Sequence, residues 1–163
     1  MRITKRTKTS LLLVFIVILL SSCQPSSKKT IEDSKATGDW PVYSFEELVS
    51  NSDLIVYGEI TNTENVDGSP SSQVSKMSVL KVLKGSEKNK LIPIKLSDPK
   101  YYVKPKAKYI MFLSKEDSYY TQKTYNSLLI ENDGIISSAL QGLQGDFKTD
   151  EVQKKILDAL TKL

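Results

Sequence analysis

Histidine is missing from this 163-residue chain, cysteine occurs once, and the two arginines are Arg2 and Arg6. Without histidine there is no Ser-His-Asp or Cys-His catalysis and no imidazole for zinc. One cysteine cannot form an internal disulfide, and a free exposed thiol is a liability outside the cell. Both arginines precede Cys23, so residues 24–163 hold no guanidinium for bidentate recognition of phosphate or carboxylate. Chemistry run by Asp, Glu, Lys, Ser or Tyr stays open, as does hard-cation binding by carboxylates.

The net charge of +4 is equally uneven. Arg2, Lys5, Arg6 and Lys8 are the cations of residues 1–23, which contain no acid; removing these four from 23 leaves 19 cations against 19 acids. The sequence pI near 9.0 therefore describes a precursor. No net basic field is left downstream to attract phosphates, and no nucleic-acid partner is expected.

What is present at the start is a basic segment, then LLLVFIVILL at residues 11–20, then Ser21, Ser22 and Cys23. As a helix the apolar run spans about 15 Å, roughly half a bilayer's hydrocarbon core, which suits an export signal better than a permanent span. Leu20-Ser21-Ser22-Cys23 resembles the lipobox of bacterial lipoproteins. The resemblance implies that residues 1–22 are a signal peptide cleaved between Ser22 and Cys23. It also implies a diacylglyceryl thioether on Cys23, with an N-acyl chain of the palmitate type as a further addition. Two chains, at about 0.8 kcal/mol per buried methylene, anchor stably where one is marginal. The expected location is the extracytoplasmic face of the cell membrane, held by membrane lipid. Gln24 in place of an aspartate favours the outer membrane if the envelope has two. No metal and no non-covalent cofactor is expected.

Residues 23–40 are polar and read as the lipidated cysteine and a flexible tether, holding the body some 20–25 Å from the lipid by a random-coil estimate. Residues 41–163 suffice for one domain. Ser44-Phe45-Glu46-Glu47 is a capping box, with Tyr43 and Leu48 placed for a hydrophobic staple, and its helix ends near Asn51. DLIVYGEI at 53–60 reads as a strand buried on both faces, with Gly58 marking a bulge or a close backbone approach. Residues 61–71 read as a loop. The strand at 73–83 changes phase, which predicts a bulge near Val79 and Leu80. Residues 91–96 form a strand that Pro93 assigns to an edge. Residues 108–114 form an apolar strand, and weaker strands follow at 118–123 and 127–131. Asn132-Asp133-Gly134 turns a hairpin into Ile135 and Ile136. Residues 150–163 predict an amphipathic helix with a stripe of Val152, Ile156, Ala159, Leu160 and Leu163, and Lys162 in its last turn. The fold class is α+β: a mainly antiparallel sheet curled into a small OB-like barrel, with a short N-terminal helix and a C-terminal amphipathic helix.

The order SFEELV, SDLIVYGEI, VLKVLKG, KYIMFL resembles small exported bacterial domains of the OB-like, netrin-type kind. These are core-pattern matches, so they imply a fold and carry no site. Six tyrosines (101, 102, 109, 119, 120 and 125) interleave with lysines and read mainly as strand residues with wet hydroxyls. If they include a binding site, Tyr101-Tyr102 in a loop is the candidate. Ser97-Asp98-Pro99-Lys100 has Ser-x-x-Lys spacing, but Pro99 denies it the helix that such chemistry needs. Residues 62–68 (NTENVDG) look like a calcium loop, but aligning Gly68 puts Val74 where the bidentate acid belongs. The expected function is a non-enzymatic envelope binding or accessory module, partnered by an envelope or incoming protein, as in immunity or exclusion. One alternative is an envelope-glycan hydrolase pairing two of Glu59, Asp98 and Glu131. Another is a small solute-binding lipoprotein.

Overall fold

Two strands that are apolar on both faces organise the domain. A computed structural model describes residues 40–66 and 72–163, so the signal segment, Ser22, Cys23 and the tether ahead of Trp40 lie outside the described residues. The elements are helix α1 (Phe45–Asn51), strands β1 (Leu54–Asn65), β2 (Gln73–Lys84) and β3 (Leu91–Leu96), and a 3-10 turn at Pro99–Tyr101. There follow β4 (Lys108–Lys115), β5 (Tyr120–Gln122), β6 (Leu128–Asn132), β7 (Ile135–Leu140), β8 (Leu143–Lys148) and helix α2 (Thr149–Leu160). β1 to β5 close a barrel in the order β1-β2-β3-β5-β4, with β4 returning to pair with β1. The β3–β5 pairing is parallel and the other pairings are antiparallel. The domain is α+β with an OB-like barrel.

β1 and β4 alternate between two cores. Leu54, Val56, Met111 and Leu113 fill the barrel with Met77 and Ile94, whereas Ile55, Ile110 and Phe112 point outward. That outer face is covered by Phe45 and Leu48 of α1 and by Val152 and Ile156 of α2. Phe45 meets Phe112 edge to face, with centroids 6.4 Å apart at 84°. The capping box forms as its residues require. The Glu47 amide donates to Ser44 Oγ at 3.3 Å, and the Ser44 amide donates to Glu47 Oε2 at 2.8 Å. The Ser44 amide and then the Ser44 hydroxyl, both donating to Glu47 Oε2, hold the Glu47 carboxyl below the usual range. At the other end of α1, Lys84 Nζ donates to the carbonyls of Val49 and Ser50, both at 2.7 Å.

The phase change in β2 is a bulge at Leu80: Tyr57 opposes Lys81 while Gly58 opposes Val79. Leu80 is left exposed. A second irregularity skips Leu83, which turns into the outer core. Gly58 serves both roles expected of it, since it sits at the register shift and an added Cβ there would clash with Ser78 O.

β5 and β6 occupy the same side of β4, opposite residues 113–115 and 108–111 respectively. Between them residues 123–127 swing away from the ladder. Phe112 bridges the gap: its amide donates to Ser127 O at 2.9 Å, and the Lys123 amide donates to its carbonyl at 3.1 Å. The β6–β7 hairpin turns at Asp133 (φ 50°) and Gly134 (φ 80°), the left-handed pair of a type I′ turn.

Four expectations need correction. β1 continues to Asn65, into the residues read as a loop, because Glu64 and Asn65 pair with Val74 and Gln73. β3 is flanked on both sides, by β2 and β5, and is not an edge; its ladder with β5 covers only Ile94 and Lys95 and stops at Pro93. β8 was not foreseen, since residues 144–146 are all exposed and give no apolar alternation. Helix α2 ends at Leu160, leaving Lys162 beyond its last turn and Leu163 74 % exposed.

Gly58→Ala is expected to destabilise the domain by about 1–3 kcal/mol, the usual cost of overpacking. Chemical denaturation measures it; an unchanged midpoint would mean that β2 yields freely around Ser78.

Candidate functional site

Because β3 and β5 run parallel, the loops leading into them (residues 85–90 and 116–119) share one end of the barrel. The loops leaving them (97–107 and 123–127) share the other. The short β3–β5 ladder leaves the first end open as a groove of about 490 Å³. Its lining includes Glu87, Asn89, Pro93, Lys115, Asp117 and Tyr120.

Tyr120 joins this groove to the core. Its ring belongs to the barrel interior, and its hydroxyl donates to Glu87 Oε2. Glu87 Oε1 accepts from the Asn89 amide at 2.7 Å, which fixes the 85–90 loop. Burial, then the hydrogen bond and charge of Glu87, push the Tyr120 phenol up to about 12. The Tyr120 hydroxyl and then the Asn89 amide pull the Glu87 carboxyl down. Alongside, Lys95 Nζ lies 5.5 Å from the centroid of the Tyr119 ring, a cation–π arrangement on the barrel's outer face. The groove thus offers fixed polar groups and an aromatic surface, suited to non-covalent recognition.

The residues singled out from sequence fall elsewhere. Tyr101 closes the 3-10 turn at the opposite end, its ring 6.2 Å from that of Tyr125 and Lys100 Nζ 5.5 Å above it. Tyr102 is packed partly against the barrel core, and burial followed by the charge of Asp98 raises its phenol. Asp98 caps that turn by accepting from the Lys100 amide at 2.9 Å, so Ser97 and Lys100 share no longer helix. Asn62 and Glu64 bond to each other at 2.7 Å within β1, so the start of the calcium-like run is strand, while its Asp67 and Gly68 lie outside the described residues. Among the described residues, no three acidic or thiol side chains gather to hold a metal.

Two of the three candidate acids do come near each other. Glu59 and Glu131 oppose Lys108 from either side, on β1 and β6. Glu131 Oε2 accepts from the Tyr57 hydroxyl at 2.8 Å and from Thr149 Oγ1 at 2.7 Å, and Lys108 Nζ lies 3.8 Å from Oε1. This carboxylate ties β1, β4 and β6 to the start of α2. Burial, Glu131 and the more distant Glu59 push the Tyr57 phenol up to about 12. Asp98 lies apart, on the 97–107 loop.

Sequence reasoning missed Glu87 and Thr149, which sit in polar runs with no periodicity of their own. The signal for Glu87 was the tyrosine pair 119–120: in a strand one member must face inward and reach for a partner. No protein-family model matches this chain, and no curated protein is significantly similar to it.

The fold favours the protonated Tyr120 phenol, so its contribution to stability is complete below the ordinary phenol value near 10 and is lost as pH rises through about 12. Tyr120→Phe should therefore make the fall in stability between those pH values shallower. Glu87→Gln should move one phenolate absorbance step to lower pH; an unmoved titration would deny the pair.

Proposed function

We propose that this protein is a lipid-anchored, extracytoplasmic binding module that presents the β3–β5 groove away from the membrane. The anchor is Cys23, acylated after cleavage of the Ser22–Cys23 bond, and membrane lipid is its constant partner. The groove's partner is an envelope or incoming protein, as for an immunity or exclusion factor. No cofactor enters this reading.

One observation carries it: the tethered and open ends of the barrel differ. Thr124 Oγ1 donates to Pro41 O, and Asn126 Nδ2 donates to Tyr43 O at 3.3 Å, so the chain joins the body at the 123–127 loop. That loop leaves β5, whereas the groove lies where β5 begins. A tether at one end and a polar, aromatic-lined opening at the other suit a receptor facing outward. Among the described residues no helix is long and apolar enough to cross a membrane, so the N-terminal segment is the anchor this reading relies on.

The use made of the carboxylates favours binding over glycan hydrolysis. Glu131 is occupied by two hydroxyls and a lysine, and Asp98 by a backbone cap. A general acid needs a carboxyl free to give a proton to a leaving group.

Two measurements check the reading. Mass spectrometry of the native product should find an acylated Cys23 as the first residue, and Cys23→Ala should leave the protein unprocessed or released from acyl anchoring. In intact cells, a photocrosslinker at Asp117 should capture a specific envelope or incoming protein, and Glu87→Lys should weaken that capture. Envelope-glycan turnover that falls in Glu131→Gln without loss of stability would instead favour the hydrolase.

A further inference from the structure

We propose that the tethered end of the barrel rests on lipid headgroups, through Trp40, Tyr101 and Tyr125 and the lysines around them. This rests on the Cys23 anchor and adds an orientation to it. A tether alone lets the body wander over about 20–25 Å; a seated end holds the groove at a fixed height.

The surface is built before any lipid meets it. Tyr125 lies between the two residues that bind Pro41 and Tyr43, and its ring lies against Tyr101. The loop bearing Tyr101 is pinned from below. The buried Gln73 side chain accepts from the Val103 amide at 3.0 Å and donates to its carbonyl at 3.3 Å. The Lys106 amide donates to Ile60 O at 2.7 Å, and the Lys104 amide to the Tyr109 hydroxyl at 3.2 Å. Beside them Val42 is 71 % exposed and Trp40 half-buried. Tyrosine and tryptophan suit a headgroup layer, having an apolar body and a polar tip, and lysine stems lie along such a surface with their charges in water.

Lysines stand around the same rings. Residues 97–107 and 123–127 carry Lys100, Lys104, Lys106 and Lys123 against Asp98, with Glu131 and Asp133 across a shared pocket from Lys104 and Lys106. At the groove end Lys88, Lys90 and Lys115 balance Glu87, Glu116 and Asp117. Lys100 and Lys104, exposed beside the tyrosines, attract this face to an anionic leaflet.

Trp40 is the chain's single tryptophan, which makes the test direct. The acylated protein is reconstituted into vesicles of phosphatidylcholine and phosphatidylglycerol, with or without brominated acyl chains. Co-flotation reads the anchor, and quenching of Trp40 reads the seating. Brominated lipid should quench Trp40 in the native protein. Lys100→Glu with Lys104→Glu, both at exposed positions, should lower that quenching by about twofold or more while flotation is unchanged. Tyr101→Ser with Tyr125→Ser should act in the same direction. Intact flotation with an unquenched Trp40, as expected if this end meets a protein instead, overturns the seating and leaves the anchor standing. So does quenching that ignores the lysine substitutions. Failure to float removes the anchor, and the seating with it.

Discussion

The pairing of β1 with β4 is the constraint on which the remainder of the fold depends. It is the seam that closes the barrel, running from Leu54 opposite Leu113 to Glu59 opposite Lys108. Both strands are buried on both faces there, so one ladder serves two cores at once. Closing the barrel puts Leu54, Val56, Met111 and Leu113 inside, and it presents Ile55, Ile110 and Phe112 as a platform for the helices. A register slip of one residue would exchange these two sets, and neither core would then fit its cover. The second seam, β3 to β5, is short by comparison. The barrel is firmly shut on one side and parted on the other, and the parted side is the groove.

Much of this architecture was legible because it rests on local patterns. The capping box of Ser44 and Glu47, the double-faced DLIVYGEI strand, the bulge near Leu80 and the Asp133-Gly134 turn each have a near-sequence cause. The failures have a common cause too. Pro93 signals a missing N–H, which reads as an edge; in a closed barrel the same lack shortens one ladder and leaves the strand enclosed. β8 has almost no apolar alternation because it lies at the margin of the sheet, with only Leu143 buried. The Glu87–Tyr120 and Glu131–Tyr57–Thr149 connections join residues 18 to 74 positions apart, and no periodicity announces them.

Those two connections share a design with different consequences. In each a tyrosine hydroxyl donates to a carboxylate, and each phenol is pushed up to about 12. At Glu131 the carboxylate also receives Thr149 and neighbours Lys108, which consumes its capacity in fastening α2 to the sheet. At Glu87 the other partner is a loop amide, and the pair sits beside open volume. The first arrangement holds the body together; the second shapes a surface that a partner can meet. Dividing the acids by what already occupies them separates scaffold from candidate site more sharply than residue type does.

The outer core draws on both extremes of the domain. Phe45 and Leu48 lie near its beginning, Val152 and Ile156 near its close, and all four cover the same sheet face. A chain made from its N-terminus therefore cannot finish this layer until Val152 and Ile156 have emerged. Until then α1 has no complete seat, because the contacts that complete it are among those of longest sequence separation in the domain. The distribution of apolar residues along the sequence thus defers consolidation of the outer core to the last stretch of chain to be made.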